Sequence, residues 1–131
     1  MTRAHHLLII LLMTLNACQE NLPVDPNTLN ERERQAVASL AWLHQADAER
    51  DVQEALQRQD TRLLALAGRA LNLPGVDPAR MDGAGERCGR RALPGSTDIV
   101  LGETHRRLLQ AAAEYAARYN RLMLAHCPDS D

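Results

Sequence analysis

The stretch Gly102-Glu103-Thr104-His105-Arg106-Arg107-Leu108-Leu109-Gln110-Ala111-Ala112-Ala113-Glu114-Tyr115-Ala116-Ala117-Arg118-Tyr119-Asn120-Arg121-Leu122-Met123-Leu124-Ala125-His126-Cys127 decides the fold class. His105, Leu108, Ala112, Tyr115, Tyr119, Leu122 and His126 recur at steps of three and four, which places them on one side of an α-helix. Leu109, Ala116 and Met123 widen that stripe into a face that needs burial. Pro128 ends the helix, with Cys127 one residue past the stripe. The helix start is open between the caps Ser96-Thr97-Asp98 and Gly102.

A second helical pattern lies upstream. Thr28-Leu29-Asn30-Glu31 has capping-box spacing, and Ala36, Val37, Leu40, Leu43, His44, Ala48, Val52, Ala55 and Leu56 follow at helical intervals. The spacing predicts one amphipathic helix over 29–58, with Glu31, Arg34, Glu49, Arg50, Asp51 and Glu54 on its polar side. Gln57 to Thr61 is a break. Leu63 to Leu73 fits a helix capped by Asp60 or Thr61, which is the preferred reading, or a short buried strand over Leu63 to Ala67 bent at Gly68. Leu73-Pro74-Gly75 and Leu93-Pro94-Gly95 are turn signals, and the glycine-rich stretch between them reads as irregular. The expectation is a mainly α domain of two long helices, a short third element and a Gly/Pro-rich loop.

The amino terminus reads differently. Arg3 precedes the uncharged run Leu7 to Leu15, which is far shorter than the roughly 20 apolar residues that span a bilayer. A short basic flank before a short apolar run is the pattern of a signal peptide. Leu15-Asn16-Ala17-Cys18 then resembles the lipobox of bacterial lipoproteins, although Asn16 stands where that family prefers Ala, Ser, Thr or Val. The resemblance covers the first 18 residues. It implies a palmitate-type diacyl lipid on the Cys18 sulfur, cleavage between Ala17 and Cys18, and attachment to a membrane. Gln19, where Asp tends to mark inner-membrane retention, resembles an outer-membrane address facing the periplasm. The organisation expected is a signal peptide over 1–17, a lipid anchor and tether over 18–27, a helical domain over 28–127 and a tail over 128–131. Pro23 and Pro26 keep the tether extended, and nine residues at ~3.1 Å give a reach of about 28 Å.

Of three cysteines, Cys88 and Cys127 remain after the anchor. In an oxidising compartment an even pair reads as a disulfide. Their wide separation does not match a Cys-x-x-Cys redox motif.

A fainter likeness runs through the rest of the chain. Ala48 to Asp77, Gly95-Ser96-Thr97-Asp98 and Tyr115 to His126 look like a set of small uncharacterised proteobacterial proteins. These share an Asp-x-Arg-Leu-Leu-like run ending in Pro-Gly-Val and a closing Tyr-Ala-x-x-Tyr-Asn helix. No activity carries over from that set.

Composition narrows the function classes. The 131 residues less the 17 before Cys18 leave 114, enough for one small domain. Net charge is −2, and −3 without Arg3, which gives no broad basic field for nucleic acid. All fifteen basic residues are Arg, and Trp42, Tyr115 and Tyr119 are the only aromatic ones. A core built from Leu, Ala and Val buries little area per residue.

Catalytic constellations are weak. His44, His105 and His126 form no i, i+4 pair, and His105 and His126 stand about 31 Å apart along a helix. Ser39, Ser96 and Ser130 lie in no nucleophile elbow, and Gly83-Ala84-Gly85 lacks the Lys of a phosphate loop. Glu31/Glu33 and Glu49/Asp51 read as solvated helix charges. Neither a metal nor another cofactor is implied. Arg80, Arg87, Arg90 and Arg91 fall within twelve residues and suit a carboxylate or phosphate on a partner. Trp42 lies about 70° from Leu40 in a continuous helix, off the buried stripe, where an exposed indole would serve as a binding hot spot.

The sequence therefore points to a lipid-anchored, non-enzymatic adaptor of the cell envelope that binds an envelope protein. A pilotin-like escort, a stabilising subunit or an immunity-type binder would all fit. The alternative is a small-ligand-binding or enzymatic periplasmic lipoprotein. A pocket lined by titratable residues from both long helices would favour that alternative. An exposed Trp42 beside an apolar groove would favour the adaptor.

Overall fold

The structure, a computed structural model, describes residues 29–67 and 72–128. The signal peptide, Cys18 and the tether through residue 27 lie outside them, as does Gly68. The chain is a mainly helical domain with one disulfide, the class its periodicity indicates.

The 29–58 segment forms three pieces rather than one helix. Helix α1 spans Glu31–Ala38, a 3-10 turn spans Ala41–Gln45, and helix α2 spans Ala48–Gln57. Asn30 caps α1 by accepting the Glu33 amide at 2.8 Å, so the cap falls two residues later than Thr28. The α1 ladder ends where the Ser39 hydroxyl turns back onto the Gln35 carbonyl at 3.0 Å. Leu40 drops into the core, and Ala46 and Asp47 take extended backbone. Asp47 then starts α2 by accepting the Arg50 amide at 3.0 Å. The expected apolar face is only partly realised: α1 buries Glu33 and leaves Ala36 and Val37 half-buried, while Trp42 and Leu43 of the 3-10 turn pack against the core from half-buried positions. Ala48, Val52 and Ala55 of α2 are buried, and α2 packs against the long last helix.

The preferred helical reading of 63–73 is overturned. Leu63–Ala65 is a strand, β1, buried along its length. It pairs in parallel with β2, Arg90–Ala92, in the register Leu63↔Arg90, Leu64↔Arg91 and Ala65↔Ala92. Leu66 makes an antiparallel bridge to Asn72. A parallel pair needs a crossover. The stretch read as irregular supplies one, with a 3-10 turn at Pro78–Arg80 and helix α3 at Met81–Cys88. Asp77 starts this crossover by accepting the Ala79 amide, with Pro78 in the first position.

Helix α4, Glu103–Leu124, organises the rest, and its start resolves to Gly102. It buries His105, Ala112, Ala116, Tyr119, Asn120 and Met123. Asn120 replaces a missing strand neighbour: its side chain accepts the Leu64 amide at 2.7 Å and donates to the Leu64 carbonyl at 2.9 Å. It also donates to the Pro74 carbonyl at 2.9 Å. Gly75, at φ +78°, sits so close to α4 that a Cβ would stand 2.3 Å from the Ala117 carbonyl oxygen. Cys88 at the end of α3 joins Cys127 just past α4. Leu40, Leu63, Leu64, Leu73, Tyr119 and Met123 form the fully buried centre.

Candidate functional site

Trp42 occupies the 3-10 turn after α1, so the angular offset expected of a continuous helix does not apply to it. Its ring is partly buried, and its indole N–H donates to the Pro94 carbonyl at 3.0 Å. The edge of the ring meets Tyr115 of α4, with centroids 5.3 Å apart and planes at 67°. The Tyr115 hydroxyl donates to the Asp51 carboxylate of α2 at 2.7 Å. Burial, followed by that hydrogen bond, raises the phenol well above its ordinary value. Burial works to raise the Asp51 carboxyl as well. Hydrogen bonds from Tyr115, the Asp47 amide and Arg50 outweigh it and hold Asp51 below its ordinary value. Trp42 thus caps a chain of contacts that ties the 3-10 turn, α2 and α4 together. Part of its ring remains on the surface beside Pro94.

The arginine cluster does not converge. Arg90 of β2 packs over Gly85 and donates to the Met81 carbonyl at 3.2 Å. Arg91, its neighbour, turns to the other side of the strand and stacks over Tyr119, 5.6 Å from the ring centroid. Its Nε is buried with no hydrogen-bond partner. Arg87 alone of the three candidates faces an open cleft. That cleft holds about 460 Å³ and is also lined by Ala79, Arg80, Gly83, Ala84 and Glu86. A smaller cleft of about 120 Å³ lies on the α2–α4 seam, lined by Glu49, Val52, Gln53, Leu122 and His126. Its titratable residues are Glu49 of α2 and His126 in the turn past α4, and it is well below the ~300 Å³ at which small-molecule sites begin. Glu49 there is paired with Arg118.

The nucleophile-bearing side chains are occupied by the fold. The Ser96 hydroxyl donates to the Leu93 carbonyl at 2.7 Å and accepts the Ala67 amide at 3.0 Å. Thr61 donates to the Cys88 carbonyl, and both Cys88 and Cys127 are in the disulfide. His44 and His126 are exposed, whereas His105 is fully buried and accepts the Leu101 amide on Nδ1 at 3.1 Å. Among the described residues no three of His, Cys, Asp and Glu cluster as a metal ion requires.

Two features depart from the sequence reading, which takes Glu33 as a solvated helix charge and does not single out Ile99 or Val100. Glu33 is a buried carboxylate of α1 that accepts the His105 amide in the first turn of α4 at 3.3 Å. It lies against Gly102, where any Cβ would collide with it. Ile99 and Val100, in the loop before α4, are exposed. The capping-box spacing in the sequence is Thr28-Leu29-Asn30-Glu31, and nothing local reveals that Glu33 serves a distant helix.

No protein-family model, curated protein or solved structure matches the chain.

Proposed function

We propose that this protein is a lipid-anchored, periplasm-facing module of the bacterial envelope that acts by binding another envelope component. One observation carries the reading. Cys88 and Cys127 are joined to each other, so Cys18, in its lipobox-like setting, is the remaining cysteine and the one available for lipid. A disulfide that closes the fold also suits an oxidising compartment. Among the described residues no helix is long and apolar enough to cross a membrane. Two or more acyl chains hold a protein stably, at ~0.8 kcal/mol per buried methylene.

A binding role is favoured over an enzymatic one by where the polar groups go. The Ser96, Thr61 and Tyr115 hydroxyls and the His105 Nδ1 are bonded within the fold, and Cys88 and Cys127 are joined. The buried Tyr119 hydroxyl and His105 Nε2, which have no partner among the described residues, line neither cleft. Trp42 is half-buried and bonded to Pro94 rather than exposed beside an apolar groove, and the surface also presents the Arg87 cleft and the exposed Ile99 and Val100. The small α2–α4 cleft is the feature an enzymatic reading would use, and its size argues against a substrate.

Two measurements test the reading. Radiolabelled palmitate should enter the wild-type chain and not Cys18→Ser; equal labelling removes the anchor. In-cell crosslinking followed by affinity capture and mass spectrometry should return one dominant envelope protein. Its recovery should fall with Trp42→Ala or Arg87→Glu. Repeated capture of nothing, with the protein abundant and folded, removes the adaptor role.

A further inference from the structure

Among the described residues the exposed large hydrophobic side chains are Ile99, at 60%, and Val100, at 53%. They are consecutive, and the fold holds them in place. On one side the Thr97 hydroxyl donates to the Ile99 carbonyl at 2.8 Å. On the other, the Leu101 amide donates to Nδ1 of the fully buried His105 at 3.1 Å. A core imidazole is thus committed to fixing the loop that presents two apolar side chains to the outside. Singly scattered exposed apolar residues need no explanation, and this adjacent pair on a braced loop is the candidate for a contact surface.

Where the chain enters the domain says what covers this surface. The described backbone begins at Leu29, and α1 follows at Glu31. Glu33, one turn into α1, lies against Gly102 and accepts the His105 amide. Gly102 is only two residues from Val100. The entry of the tether and the Ile99–Val100 tip therefore sit at the same end of α4. The nine residues between Cys18 and Thr28 can span at most about 28 Å at ~3.1 Å per residue, which would let a lipid on Cys18 bring this end down onto a bilayer.

We propose that Ile99 and Val100 form a wedge that enters the lipid surface beside the anchor and fixes the domain's orientation on the membrane. The inference rests on the lipid-anchor reading. The wedge is apolar rather than basic in character. Asp98 adjoins it, and Arg106 and Arg107 at the start of α4 are both engaged by Glu103. Its contact with lipid is accordingly insensitive to salt, unlike that of a polybasic segment.

The test uses the full lipidated protein in vesicles of phosphatidylethanolamine and phosphatidylglycerol that carry a nitroxide on the acyl chains. In a Trp42→Phe background, a single tryptophan is placed by Ile99→Trp or by Arg121→Trp. The second position is exposed and lies about 27 Å further along α4 from Glu103. Flotation with the vesicles is read first. Loss of flotation means the anchor has failed, and the wedge falls with it. With flotation intact, the nitroxide should quench Ile99→Trp several-fold more than Arg121→Trp, equally at low and high salt. Val100→Trp should repeat the result if Ile99→Trp does not fold. Equal quenching at the two ends overturns the wedge. So does shielding of the 99 position by a second copy of the chain, detected as a crosslinked dimer with no quenching by lipid.

Discussion

The two ends of α4 are built on different principles. At the carboxyl end, Asn120 completes the bonding of Leu64 and Pro74, Tyr119 is fully buried, and a disulfide ties Cys127 to the crossover. At the amino end, single polar contacts hold the join: Glu33 to the His105 amide, and His105 to the Leu101 amide. The first end is closed by many mutually dependent bonds, and the second is closed by few and presents Ile99 and Val100 outward. Stability concentrates where contacts are dense, and segments that engage partners are drawn from where it is thin. Amide exchange should follow the same gradient, slowest in β1 and the second half of α4 and fastest in α1 and the 96–102 loop.

The sharpest way to break this contrast is to open the disulfide. The bridged residues are 39 apart, and in the chain-entropy model such a loop is worth about 4 kcal/mol. Cys88→Ser with Cys127→Ser should lower the urea midpoint accordingly and speed exchange first in α3 and β2. Equal loosening of the Glu33 contact would mean the ends are not separate units. Next in size is Asn120→Leu. It leaves the Leu64 amide and carbonyl without their side-chain partner in a fully buried setting, at a cost of about 3 kcal/mol. Equilibrium unfolding that shows less than about 1 kcal/mol would remove Asn120 as the keystone of that end. Glu33→Ala should cost about 1–2 kcal/mol, the range of a lost helix cap, because Gly102 has no side chain to replace it. Its effect on exchange should stay within the first turns of α1 and α4.

How much of this was legible in the sequence divides along the same line. The last helix reads true over Glu103–Leu124, 22 residues whose spacing admits little else, but His126, counted on its stripe, lies exposed past its end. The upstream helix reads too long because Ala36 to Ala48 keeps helical spacing through a 3-10 turn. The cue to the restart was Asp47-Ala48-Glu49-Arg50, a cap followed by acidic first-turn residues. Strand β1 is only three residues long, and its partner is Arg90-Arg91-Ala92, which carries no strand signal of its own. The edge of β1 that β2 leaves open is completed by Asn120, 56 positions beyond Leu64. Helix α3 carries Gly83 and Gly85, which local propensity counts against a helix, and it persists because it is pinned at Cys88. Of the candidate surface residues, Arg87 lines an open cleft with Arg80. Arg90 and Arg91, adjacent in sequence, point to opposite sides of a strand, which periodicity alone could show only once the strand was known. The Ile99–Val100 pair was visible as residues but not as exposure, since nothing local says which side of a loop faces out.

The smallest prediction compares one arginine-held carboxylate from each end. Arg62 donates to Asp60 from Nε at 2.9 Å, from Nη2 at 3.0 Å and from its amide at 3.1 Å. Those bonds bring the Asp60 carboxyl from 3.8 to about 2. Hydrogen bonds from Arg106 and then Arg107 bring Glu103 from 4.5 to about 2. Both groups ionise lower in the folded chain than in the unfolded one. Each therefore adds stability that is fully present above its unfolded value and fades as the pH falls toward 2. The two are not equal, because the Asp60 side chain is 20% exposed and that of Glu103 is 53% exposed, where solvent screens the pairing. In urea titrations between pH 5 and 2, Asp60→Asn should flatten the acid limb visibly, and Glu103→Gln should flatten it less. The reverse order would place the stronger electrostatic closure at the amino end of α4. The contrast between the ends would then rest on covalent and buried bonds alone.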